Sequence, residues 1–110
     1  MAIAPADGNL FQLPQPLPAT ETFTPLLETP HLRVERIVSS GQTTPPGQWY
    51  DQPQAEWVVL LTGSATLSYE DGTAMALGPG DYVLIPAHRR HRVDFTSGEP
   101  PCLWLAIHLG

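Results

Sequence analysis

From Leu32 onward, apolar and polar positions fall into short β-prone runs, at 32–39, 56–61, 65–70, 73–77, 81–85 and a longer return through 92–96 and 103–109. Turn residues separate them: Thr62-Gly63-Ser64, Asp71-Gly72, Gly78-Pro79-Gly80, and a stretch from Ser97 to Pro101. An Asp-Gly pair between strand-like residues tolerates positive φ at both turn positions, so residues 65–77 are predicted to form one antiparallel hairpin. No segment sustains an apolar period of 3.6, which predicts very little helix and an all-β sandwich or barrel. The run Trp57-Val58-Val59-Leu60-Leu61 does not alternate. As an antiparallel strand it needs cover on both faces, one from the barrel interior and the other from an N-terminal arm or a second subunit. A homodimer is therefore predicted.

The first 30 residues differ in texture. Six prolines (Pro5, Pro14, Pro16, Pro18, Pro25, Pro30) are scattered among Leu10, Phe11, Leu13, Leu17, Phe23, Leu26 and Leu27. Proline fixes φ and removes a donor, so residues 1–30 read as an extended arm packed on the barrel or on a partner, and residues 31–110 as the barrel domain. At 110 residues the chain has room for one core, and 42% hydrophobic against 15% charged residues is globular composition.

The net charge is −6, and the five cationic side chains are Arg33, Arg36, Arg89, Arg90 and Arg92, with no lysine. That balance excludes a generic nucleic-acid surface, while the cluster at 89–92 suggests a rim that steers anions or a solvated loop. Cys102 is the single cysteine, which excludes an internal disulfide and a Cys-rich zinc site and reads as a buried small hydrophobe. No leader-like segment and no apolar run of bilayer length is present, so a cytoplasmic location is expected and no membrane partner. A Gly-rich phosphate loop, His-Glu-x-x-His, G-x-S-x-G and CxxC are all absent, which removes the common nucleotide, metalloprotease and serine-hydrolase chemistries.

Two spacings carry the remaining signal. Glu56 is followed by six residues and Gly63, and Gly80 by five residues and Pro86-Ala87-His88-Arg89-Arg90-His91. This resembles the two motifs of the cupin superfamily: a glycine, His-x-His, three or four residues, glutamate, six residues and glycine; then G-x5-P-x-G-x2-H-x3-N. The resemblance, to a small single-domain protein of the cupin-2 type, covers roughly residues 41–95 and implies a jellyroll β-barrel. Glu56 matches the family's glutamate ligand and His91 its second-motif histidine ligand. The His-x-His pair falls on Trp49 and Asp51 or on Tyr50 and Gln52, depending on the spacer, so both first-motif histidines are replaced. His88 stands at the family's glycine and Phe95 at its asparagine.

The expectations about chemistry follow. A carboxylate entering an apolar strand is costly to bury unless paired or bound to a cation, which singles out Glu56. On a strand starting at His91, Val93 and Phe95 share its inward face. A metal set of Glu56 and His91, completed by Asp51 or His88, would suit Zn, Fe, Mn or Ni, with Gln52 and His108 as further candidates. Trp49, Tyr50, His88, Arg90 and Arg92 are the candidate contacts to a small, anionic ligand. Three function classes stay open. The first is a metal-dependent small-molecule cupin, an enzyme of the dioxygenase, isomerase or lyase type if catalytic; the second is a metal-free module for a small anion or sugar acid. A non-catalytic dimerising scaffold is a third. One scaffold hosts many reactions, so the fold selects none of them.

Overall fold

The structure, a computed structural model, describes residues 2–110. Eight strands make it up: β1 (Thr22–Thr29), β2 (Leu32–Ser39), β3 (Ala55–Thr62), β4 (Ala65–Tyr69), β5 (Ala74–Leu77), β6 (Tyr82–Ile85), β7 (His91–Thr96) and β8 (Cys102–Leu109). There is no helix among the described residues. All pairings are antiparallel, in a five-stranded sheet of order β1-β2-β8-β3-β6 and a three-stranded sheet of order β5-β4-β7.

The inner faces enclose the core. Ile37, Val58, Leu60, Leu67, Val83, Ile85, Trp104 and Ala106 are all buried in it, each separated along its strand by outward residues. The expected hairpin is β4–β5, closed by Gly72 at φ 93°, with the Asp71 carboxylate accepting the Thr73 backbone N–H at 2.9 Å. Gly63, which ends the first motif, also has a structural reason. It sits at φ 88°, and a Cβ there would lie 2.9 Å from Cys102 Cα and the Pro101 carbonyl. Cys102 itself is fully buried, its thiol directed at the Ser64 carbonyl at 3.1 Å.

Two local features depart from the sequence pattern. Residues 22–29, within the proline-rich arm, form a strand that pairs with β2 along its length. Proline is compatible with it because β1 is the edge of its sheet and Pro25 sits at a shift of register. Before β1 the arm is tied to the barrel at particular points: the Arg36 guanidinium donates to the Gln12 carbonyl at 2.7 Å and the Gln42 amide to the Ala19 carbonyl at 3.0 Å. The second departure is Phe95, expected inside with His91 and Val93 but half exposed. A bulge shifts the β4–β7 register between Val93 and Phe95, so alternation reverses and Thr96 becomes the buried residue.

The outer face of the five-stranded sheet is apolar across four strands. Leu84 stands opposite Trp57, Trp57 opposite Ile107, and Ile107 opposite Val34. Trp57 and Tyr82 rings lie 5.6 Å apart on this face, where Tyr82 and Leu84 are exposed.

Candidate functional site

A cavity of about 80 Å³ opens between the sheets at one end of the barrel. Its walls are apolar (Ile37, Val58, Leu67, Ile85, Val93, Trp104), and its polar lining consists of Glu21, Glu35, Tyr50, Gln52, Glu56, His91 and His108. The strands set this arrangement. Glu35 shares the inward face of β2 with Ile37, Glu56 that of β3 with Val58, and His108 that of β8 with Trp104 and Ala106, because side chains two apart face the same way.

Glu56 and His91 reach the cavity from opposite sheets and are both buried. Burial pushes the Glu56 carboxyl above the usual carboxylate range; His108, His91 and Arg33 oppose that shift and the Glu35 charge adds to it. His91 is oriented by its own turn. Its Nδ1 lies 2.8 Å from the Arg89 carbonyl, which can only accept, so Nδ1 carries a proton and Nε2 is the nitrogen left to accept one. Its backbone exchanges two hydrogen bonds with Tyr50, at 2.8 and 3.1 Å, and the Tyr50 ring stacks on the imidazole at 5.6 Å. Burial, with the nearby Glu21 and Glu56 charges, raises the Tyr50 phenol, which stays protonated and able to donate.

Glu35, Glu21 and His108 are residues the sequence pattern did not single out, or, for His108, weighted lightly. His108 Nε2 and Glu35 Oε1 form a buried pair at 2.9 Å. Glu21 receives a hydrogen bond from the Ser39 hydroxyl, and burial raises its carboxyl, with the Glu35 charge adding to the rise. The signal that could have found Glu35 is parity: it is two residues from Ile37 in a strand whose boundaries were legible.

The other expected site residues lie outside the cavity. Asp51 and His88 are exposed and pair with each other at 2.9 Å. His88 adopts φ 61° at the position where the cupin motif has glycine, fixed by that pair and by its backbone N–H to the Gln52 carbonyl at 2.7 Å. Arg90 pairs with Glu70 at 2.6 Å, and Arg89 with Asp71 at 2.9 Å while covering the Tyr69 ring. Arg92 pairs with Asp94 at 2.8 Å and lies over Trp49, its centre 5.9 Å from the ring. No arginine lines the cavity.

The model of the cupin domain matches residues 36–108. The chain belongs to the cupin family. No curated protein matches it. Among solved structures it is similar to a candidate mannose-6-phosphate isomerase from Ralstonia eutropha, 48% identical over 96% of this chain and 98% of that one, with a TM-score of 0.88. A cupin superfamily protein from Desulfitobacterium hafniense shares the fold at 18% identity, covering 93% of this chain and 98% of that one, TM-score 0.70. So does a DMSP lyase from Ruegeria pomeroyi at 24% identity, covering 74% of this chain and 40% of that one, TM-score 0.63.

Cupins often carry a metal ion, and the donors in this cupin can be tested against one. Tyr50 and Gln52 line the cavity whereas Trp49 and Asp51 do not, so the pair standing in for the family's His-x-His is a phenol and an amide. Glu56 and the free Nε2 of His91 are metal donors, but His108 and Glu35 hold each other. Among the described residues no group of three or more His, Cys, Asp or Glu is arranged to hold a metal ion. Zinc centres rest on at least three protein ligands drawn from Cys, His, Asp and Glu, and with His108 and Glu35 held by each other this donor set does not fit one.

Proposed function

We propose that this cupin binds a small uncharged molecule in the barrel interior without a resident metal, with Glu56 and His91 as an acid–base pair beside it. The observation that carries the reading is the presence, in one apolar-walled cavity, of a buried, raised carboxyl and an imidazole whose Nδ1 is held by the Arg89 carbonyl. A carboxyl raised above its usual range keeps its proton to higher pH than an exposed one, and an imidazole of fixed tautomer accepts a proton at a defined nitrogen. The name of the Ralstonia relative suggests a sugar phosphate. A phosphate inside this cavity would meet three glutamates and no arginine, so an uncharged ligand suits the lining better.

The test is an NMR screen of uncharged small molecules, following the His91 ring resonances. The expected hits shift them, and Glu56→Gln or His91→Phe weakens those hits. Hits that leave His91 unmoved, or that bind both variants as well as wild type, overturn the reading.

The apolar outer face of the five-stranded sheet supports a second part of the proposal, a homodimer with that face at the contact. Trp57 and Tyr82 belong to the residue types enriched at interface cores. Light scattering should give twice the 12.0 kDa chain mass, and Leu84→Glu should return it to one.

A further inference from the structure

Two residues that line the cavity each carry a buried polar atom without a hydrogen-bond partner. One such atom is Trp104 Nε1, on a side chain only 4% exposed; the other is Gln52 Oε1. Neither role is assigned by the acid–base pair. An indole nitrogen can only donate and an amide oxygen can only accept, and leaving either group buried and unpaired is costly. The two therefore specify complementary requirements: an acceptor for Trp104 and a donor for Gln52. The other cavity groups sharpen this. Glu21, Glu35, Glu56, His91 Nε2 and Gln52 Oε1 are acceptors, so hydroxyl donors on a ligand have several partners. Trp104 offers only a proton, which a carbonyl oxygen takes without a hydrogen of its own to place.

Resting on the uncharged-ligand reading above, we infer that Trp104 and Gln52 are specificity-determining residues for a small hydroxycarbonyl compound. The indole N–H of Trp104 donates to the ligand carbonyl, and Gln52 Oε1 accepts from the adjacent hydroxyl. The apolar walls take the carbon skeleton, and the cavity has room for a molecule of several non-hydrogen atoms.

Three probes of matched skeleton separate the requirements: hydroxyacetone has both groups, acetone only the carbonyl, and 1,2-propanediol only hydroxyls. Each is titrated into the wild-type protein while the tryptophan indole ¹H–¹⁵N signals are followed, Trp104 being assigned by the signal missing in Trp104→Phe. Hydroxyacetone is expected to move the Trp104 signal and to bind about tenfold more tightly than either partial probe, the effect of one well-made hydrogen bond. Trp104→Phe should reduce its affinity to that of propanediol, and Gln52→Leu to that of acetone. Equal affinity for the three probes in the wild type overturns the inference without relying on any variant's folding, and an unmoved Trp104 signal overturns it as well. If other uncharged molecules still shift His91 in that case, the uncharged-ligand reading survives; if nothing shifts His91 either, both fall.

Discussion

The barrel interior and the turn at residues 88–92 both hold two or more ionisable side chains close together, and they solve the problem of charge in opposite ways. At the turn these basic side chains each meet an exposed carboxylate: His88 meets Asp51, Arg89 Asp71, Arg90 Glu70 and Arg92 Asp94. Inside, Glu35 and His108 are paired, but Glu56 is buried with a raised carboxyl, and the Trp104 indole nitrogen and the Gln52 amide oxygen have no partner. A dense charge run in a sequence is thus no guide to a site, because solvent and neighbours can satisfy it. Polar groups held unsatisfied in an apolar cavity do mark one, since folding alone gives them no reason to be there.

Mutations on the two sides of this contrast should differ in size. The largest effect is expected from Glu35→Ala, which leaves His108 buried without its partner; denaturant unfolding should show a loss of about 3 kcal/mol. An unchanged midpoint would mean that solvent reaches the pair.

Glu56→Gln should act in the other direction and depend on pH. The folded chain holds the Glu56 proton more tightly than the unfolded chain does, so it binds more protons between the ordinary value of 4.5 and the raised folded value. Stability therefore falls as pH rises through that window, and the penalty is complete above it. Glu56→Gln removes the penalty. Its Tm should exceed that of wild type at neutral pH and converge with it toward pH 4.5 and below. Parallel pH profiles would contradict the buried, raised carboxyl.

Smaller changes are expected at the turn. His88→Gly removes a left-handed non-glycine residue, a gain of roughly 1 kcal/mol, and an exposed pair with Asp51 that offsets part of it. Its stability should stay within about 1 kcal/mol of wild type, with ligand binding unaltered. Smallest of all is Arg90→Ala, about 0.5 kcal/mol or less and shrinking further with added salt. A large loss of ligand affinity in Arg90→Ala would reverse the contrast and return the turn to the site.

The fold was largely legible because strand periodicity and turn chemistry agree along most of the chain. The strand at Leu32–Ser39 and the Asp71-Gly72 hairpin follow directly from residue pattern. β1 was not legible: Pro25 and Pro30 mark an arm, and only tertiary pairing with β2 makes its edge position tolerable. Phe95 was misplaced for a related reason, since a bulge is set by the partner strand and leaves no mark in the hydrophobic pattern. For the site, Glu56 and His91 stood out because motif spacing fixed both. Glu35 and Trp104 did not, because each is one inward position in a strand otherwise full of plausible core, and only assembly of the two sheets shows which inward positions converge. Asp51 and Gln52 differ by one residue, and the choice between them depended on which way an irregular segment turned.

The most direct test of the account is the metal content of the protein, purified without added or affinity-resin metal and then titrated with Mn, Fe(II), Zn and Ni while its Tm is followed. Far less than one ion per chain and no stabilisation by any of the four are predicted. One ion per chain, lost in Glu56→Ala and His91→Ala, would contradict the metal-free cavity and restore the metal centre that the motif spacing implies.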